Sequence, residues 1–355
     1  MYLLAGAYAA LSIPLWALQY AGWLPGTNTF WHAHEMLFGY AFAVIAGFLF
    51  TAVRNWTGLG TPAGAPLAAI AGLWLAARVM AFFSLPAAAI ADACFALAVA
   101  WGIGRPLVLG RNRNAFFVAV VLALGAASVV FEAYPRFALA LGLDVVLLVM
   151  TVVAGRVVPG FTNNAVPGAG ARRLPALEWA TLASVLLLLA ADAFELAAAA
   201  ALVASVGAVL HGARLALWAP LATRRRPILW ILHLSYAWIV VHLALRGLAG
   251  FDLAPAALAT HALTVGAIGG LTLGMMTRTA RGHTARPLTA GRAEVLAYVL
   301  VQAAAVARVL LPLALPSAYG AAIALSAALW SAAFAVFVVA YYPILSRPRL
   351  DGQPG

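Results

Sequence analysis

Lysine is absent from this 355-residue sequence, cysteine occurs once, and only 9% of the residues are charged. Each shortage excludes something. Soluble domains carry roughly a quarter charged residues, so a chain 65% hydrophobic with a mean hydropathy of +1.00 is an integral membrane protein whose first partner is the lipid bilayer. The single Cys94 rules out an intramolecular disulfide and, set in an apolar run, reads as a small buried hydrophobe. Acidic residues number 10 against 21 basic ones, and the resulting net charge of +11 would suggest nucleic acid in a soluble chain. Here every basic residue is arginine and most stand in short loops between apolar runs, so membrane topology explains them and no nucleic-acid partner is implied. No basic stretch precedes MYLLAGAYAALSIPLW, which therefore reads as a first membrane helix and not a cleaved signal peptide. Nucleotide and phosphate-loop spacings are also missing, and GRVVPGFTNN, from Gly155, reads as a polar turn.

What is present is a series of apolar runs of about 20 residues, each long enough to cross a bilayer. They give twelve candidate spans: 3–23, 32–53, 66–84, 86–103, 114–132, 136–158, 174–191, 194–218, 227–249, 256–277, 291–311 and 317–343. The fold class is thus all-α, a polytopic bundle forming one membrane domain over 1–355. Loops after even-numbered spans, with the tail, hold most of the arginines, from Arg54 to Arg349, while the opposite loops hold only Arg136 and Arg246. That asymmetry places both termini in the cytoplasm. Arg78 and Arg308 fall inside spans 3 and 11, where charge is costly, so each faces a polar partner in the bundle, such as a cofactor carboxylate, or snorkels to the interface.

A repeat relates span 2 to span 10. A shift of 227 residues aligns His34 with His261, Gly39 with Gly266, Gly47 with Gly274 and Thr57 with Thr284. The end of span 6 aligns through Thr162, and span 1 meets span 9 through Tyr8 and Tyr236. Three pseudo-repeats of four helices follow, roughly 1–110, 111–226 and 227–355. The glycines are read as helix-packing positions.

The histidines fall in two layers. His32, His34, His242 and His261 lie toward the outer face; His211, His233 and His283 lie toward the inner face, His283 in a loop after span 10. Haem b needs an imidazole facing its iron and a dry pocket, and two histidines on repeat-equivalent spans at one depth, His34 and His261, meet that requirement. His32, two residues from His34, points about 200° away on a regular helix, which makes it a ligand for something else or a spare axial ligand. Copper accepts imidazole and thioether, and His211, His233 and His283 have Met275 and Met276 nearby; solvation of these interfacial histidines is the plainer account. Glu35 either accepts a hydrogen bond from a ligand histidine or caps the helix start. Asp144 in span 6 and Asp92 in span 4 are carboxylates in apolar runs, suited to a proton path or to pairing with Arg78 or Arg308.

Trp31-His32-Ala33-His34-Glu35-Met36-Leu37-Phe38-Gly39 with Asn55-Trp56-Thr57-Gly58, the run from Gly155 to Asn164, Leu232-His233 with Tyr236 and Trp238, and His261 through Gly269 to Gly282-His283-Thr284 together resemble the signatures of the NnrS family. The resemblance covers nearly the whole chain. It departs in lacking an Arg-Pro-Phe-Phe-like stretch before the first span, which reads as a shortened N-terminus, and in having Ala285 where the family often has glycine. The resemblance implies a bacterial inner-membrane protein that binds haem and copper, is produced with denitrification and nitric oxide defence, and meets nitric oxide or nitrosyl species, with an unidentified electron donor if it turns them over. The repeat also resembles the core subunit of haem-copper oxidases, but spans 6 and 7 carry no histidine for a copper beside an active haem, which argues against oxidase activity. A twelve-helix secondary transporter and a non-catalytic haem sensor or metal chaperone are the rival readings.

Overall fold

The computed structural model describes residues 1–26 and 28–352, and short single turns aside, twelve helices carry the described chain. They are α1 (Tyr2–Tyr20), α2 (Thr29–Thr57), α3 (Ala65–Met80), α4 (Leu85–Leu109), α5 (Arg113–Phe131), α6 (Pro135–Ala165), α7 (Pro175–Ala193), α8 (Ala197–Leu217), α9 (Pro227–Gly250), α10 (Ala256–His283), α11 (Arg292–Ala314) and α12 (Pro316–Leu345). All but α3 are long and apolar enough to cross a membrane, so the protein is a multi-pass membrane protein. Lipid offers backbone N–H and C=O groups no partner, and a helix satisfies them within the segment.

Local chemistry sets the ends. The Asn28 side chain caps α2, accepting the Trp31 N–H at 2.9 Å. Gly58 stops the same helix at φ +69°, a left-handed backbone that glycine adopts without strain. Proline opens α3, α4, α7 and α9, where its missing N–H costs nothing.

Several helices outrun their apolar cores. α2 continues through Asn55, Trp56 and Thr57, and α6 runs to Ala165 with Pro159 inside it, so GRVVPGFTNN is helix and not a turn. His283 is the last residue of α10 and not a loop residue. Helices end where capping and sterics end them, whereas hydropathy marks only where lipid ends. Cys94, expected in the interior, is exposed on α4; an apolar thiol facing lipid costs as little as one facing protein.

Two compact units divide the chain, Met1–Val146 and Leu147–Gly355, with the boundary inside α6. In the first unit α2 is innermost, 83% of its apolar stretch buried, and it touches α1, α3, α4 and α5. In the second unit α9 packs on α8, α10 and α11, and α11 pairs with α12. Small residues permit this closeness. A Cβ on Gly266 of α10 would collide with the indole of Trp238 on α9, and one on Gly39 of α2 would collide with the guanidinium of Arg78 on α3. The glycines act as packing positions, in agreement with the sequence reading.

Three stretches leave the α-helical register for wider π turns: Glu35–Ala41 in α2, Ala262–Gly269 in α10 and Val306–Leu310 in α11. The first two follow directly on His34 and His261. Such bulges insert a residue into the ladder and are common at functional sites.

Candidate functional site

Five helices of the first unit aim polar side chains at one point. His34 and Glu35 come from α2, Tyr8 from α1, Arg78 from α3, Asp92 from α4 and Ser128 from α5. Glu35 Oε1 receives His34 Nδ1 at 2.8 Å, and its Oε2 accepts from Arg78 Nη1 at 2.7 Å and from the Tyr8 hydroxyl. Arg78 Nη2 continues to Asp92. Ser128 donates to the other Asp92 oxygen at 3.2 Å and meets His34 Nε2 at 3.2 Å, closing the ring. His34, Glu35, Asp92 and Ser128 are wholly buried, and Arg78 is 2% exposed. A buried guanidinium is tolerable because two carboxylates grip it, and the carboxylates are tolerable for the same reason. Phe38 and Phe131 pack their rings against His34 and keep the ring dry. Just past the end of α5, partial burial pushes the Glu132 carboxyl above its usual range, against an opposing pull from His34.

Arg78 therefore faces polar partners inside the bundle, and Glu35 acts as hydrogen-bond acceptor to His34 while Asn28 does the capping. Both ring nitrogens of His34 are engaged, which leaves no lone pair for a metal while Glu35 and Ser128 hold them. His32 points elsewhere, stacked on Trp16 at 4.1 Å between ring centroids. Asp144 is fully buried on α6. Sequence reading missed Tyr8 and Ser128 as ring members; Ser128 is the lone hydroxyl of its span, whereas Tyr8 shares its span with Ser12 and Tyr20 and carried no such signal.

The second unit presents its histidines differently. His261 donates Nδ1–H to the Ala257 carbonyl of its own helix at 2.6 Å, which fixes the tautomer and leaves Nε2 as a free acceptor. His242 makes the same kind of bond to Ala259 O at 2.8 Å, and its Nε2 is buried without a partner. His211 is bonded through Nδ1 to Tyr236 OH at 2.7 Å, and its Nε2 has no partner. His233 is bonded through Nε2 to Thr162 at 2.9 Å, and its Nδ1 has none. Among the described residues no group of three or more His, Cys, Asp or Glu could hold a metal ion. The inner set of His211, His233 and His283 is thus not gathered into one centre.

A second charged node surrounds His211. Arg214 of α8 reaches Glu178 of α7 at 2.5 and 3.1 Å, the Thr151 carbonyl at 3.0 Å and Tyr236 OH at 3.0 Å. Tyr8 and Tyr236, equivalent in the sequence repeat, each place a phenol in an Arg–Glu node.

A polytopic helical membrane protein with a charge ring buried in one unit and histidines of free valence in the other is the class that fold and site define. A family model described as NnrS protein matches residues 1–349, and the chain belongs to the NnrS family. A comparison with curated proteins returned no match. Family and helical fold together fit a membrane protein of the nitric oxide response.

Proposed function

We propose that the protein binds haem in the bacterial inner membrane and meets nitric oxide or iron-nitrosyl species there, with both termini in the cytoplasm as the arginine distribution indicates. The observation that carries the reading is His261: its Nδ1 is locked to a backbone carbonyl, its Nε2 is free, and a π segment follows it. That is how a ligating imidazole is held. The donor set fits haem b with His261 as axial ligand, and bound haem would supply an iron centre able to take nitric oxide. His34 is the hub of the charge ring, with Glu35 orienting it. The buried unpartnered nitrogens of His211, His233 and His242 suit copper as single imidazole donors, and His283 stands at the inner end of α10. The π segment after His34 aligns with the one after His261 at the shift of 227, which supports the equivalence of α2 and α10 and with it the three-repeat, oxidase-like plan.

The test is an absorption spectrum of detergent-purified protein, oxidised and reduced, with and without nitric oxide, alongside iron and copper analysis. The reading expects a b-type haem spectrum that shifts with nitric oxide and is largely lost in His261→Ala. Colourless, metal-free protein from haem-replete cells would overturn the proposal in favour of a transporter.

A further inference from the structure

Of the four buried arginines among the described residues, two are matched by carboxylates, Arg78 by Glu35 and Asp92 and Arg214 by Glu178; the partly exposed Arg246 and Arg281 pair with Asp192 and, at 2.6 Å, with Glu294. Arg278, near the end of α10, has no carboxylate but lies over the Phe161 ring at 3.8 Å, a close cation–π contact. Arg308 is the other buried arginine without a carboxylate, and its ring contact is looser. It sits in the π segment of α11, is 5% exposed, and its Nη1 is buried with no hydrogen-bond partner. Its contacts are the Tyr319 hydroxyl, 3.3 Å from Nη2, and the face of the same ring, 5.1 Å from the guanidinium carbon. No carboxylate lies within ion-pair distance of it among the described residues. Snorkelling would leave the head group exposed, and it is covered. A guanidinium buried at membrane depth without an anion is costly enough that its position implies an anion supplied from outside the chain.

His261 is its neighbour. The start of α10 and the π segment that follows it pack against Val306–Leu310, and Arg308 stands close enough for its charge to be felt at His261. α10 begins where α11 ends in a pair of successive helices. His261 is the sixth residue of one and Arg308 lies six residues before the end of the other, so the two share a depth. One side chain offers a neutral lone pair and the other an unsatisfied positive fork. A simple anion would use only the fork, and a metal ion alone would be repelled by it.

We propose that His261 and Arg308 form one two-point site for an anionic metalloporphyrin, the imidazole taking the metal and the guanidinium taking a carboxylate at the macrocycle edge. Tyr319, hydrogen-bonded to Arg308, has a hydroxyl proton to give to the same carboxylate. The inference rests on the haem reading above and adds to it a charge-selective subsite.

The experiment titrates full-length protein, purified without haem, with haem and with haem dimethyl ester, whose carboxylates are masked. Binding is followed by absorbance for the wild type, Arg308→Gln and Arg308→Lys. The wild type is expected to bind haem at least about 10-fold more tightly than the diester, Arg308→Gln to lose that preference, and Arg308→Lys to keep part of it, in line with a charge-assisted bond. Haem-free Arg308→Gln is expected to unfold at or above the wild-type temperature, since it sheds an unpaired buried charge. A preference that survives Arg308→Gln, or a bound phospholipid phosphate that Arg308→Gln releases, overturns the subsite and leaves the haem reading standing. Failure of the wild type to bind either porphyrin overturns both.

Discussion

Arg78 shows what one residue does when a membrane interior contains charge. It joins Glu35 to Asp92, and without it the two carboxylates would share a dry cavity with no cation of fixed charge. Arg78→Met is expected to cost about 3–5 kcal/mol, the usual penalty for stripping one partner from a buried ion network, and to lower the thermal unfolding midpoint in detergent steeply. An unchanged midpoint would mean that the ring contributes nothing to stability. Ala285 is a second residue with a measurable burden. Its φ is +57°, a left-handed backbone two residues after the end of α10, a conformation that glycine adopts without strain. Ala285→Gly is expected to stabilise the protein by about 1 kcal/mol, seen as a small rise in the same midpoint.

At the scale of helices, two devices bring side chains together. Glycine lets α9 and α10 approach until Trp238 fills the space over Gly266, with the indole N–H of Trp238 bonded to Gln302 of α11 at 2.9 Å. Gly266→Ala would drive a methyl group into that indole and is expected to cost about 1–3 kcal/mol, with loss of the Trp238 fluorescence environment as an independent readout. The π segments are the second device. In α2 the widened turn is served from outside, where Trp74 Nε1 donates to Gly39 O at 2.8 Å. Sequence patterning located the helices carrying these segments but not the segments themselves, because spans apolar on nearly every face carry no phase for a π turn to shift.

For the whole molecule, the arginine asymmetry makes a prediction that geometry alone does not. Reporter fusions at the C-terminus are expected to report a cytoplasmic location, and fusions in the loop after Phe251 the opposite side. A C-terminal reporter active outside the cytoplasm would reverse the topology and, with it, the assignment of histidine layers. The division into Met1–Val146 and Leu147–Gly355 cuts across the repeat limits near 110 and 226. Compactness follows packing density, whereas repeats follow ancestry of helix order, and the two need not coincide.

The number of helices and the membrane character of eleven of them were readable from the chain, because hydropathy is a local property of about 20 consecutive residues. Twelve expected spans became twelve helices, but the third, α3, is too short at Ala65–Met80 to count as a span, and helices such as those ending at Ala165 and His283 continue past the lipid-like sequence. The ring was out of reach. Positions 8, 34, 35, 78, 92 and 128 meet only because five helices converge, and nothing local tells Ser128 that it will face His34 rather than lipid. The same holds for Arg308. Its sequence context allowed a buried pair, a cofactor carboxylate or a snorkelled head group, and only the packed structure, by burying the guanidinium and giving it a phenol instead of a carboxylate, decided among them.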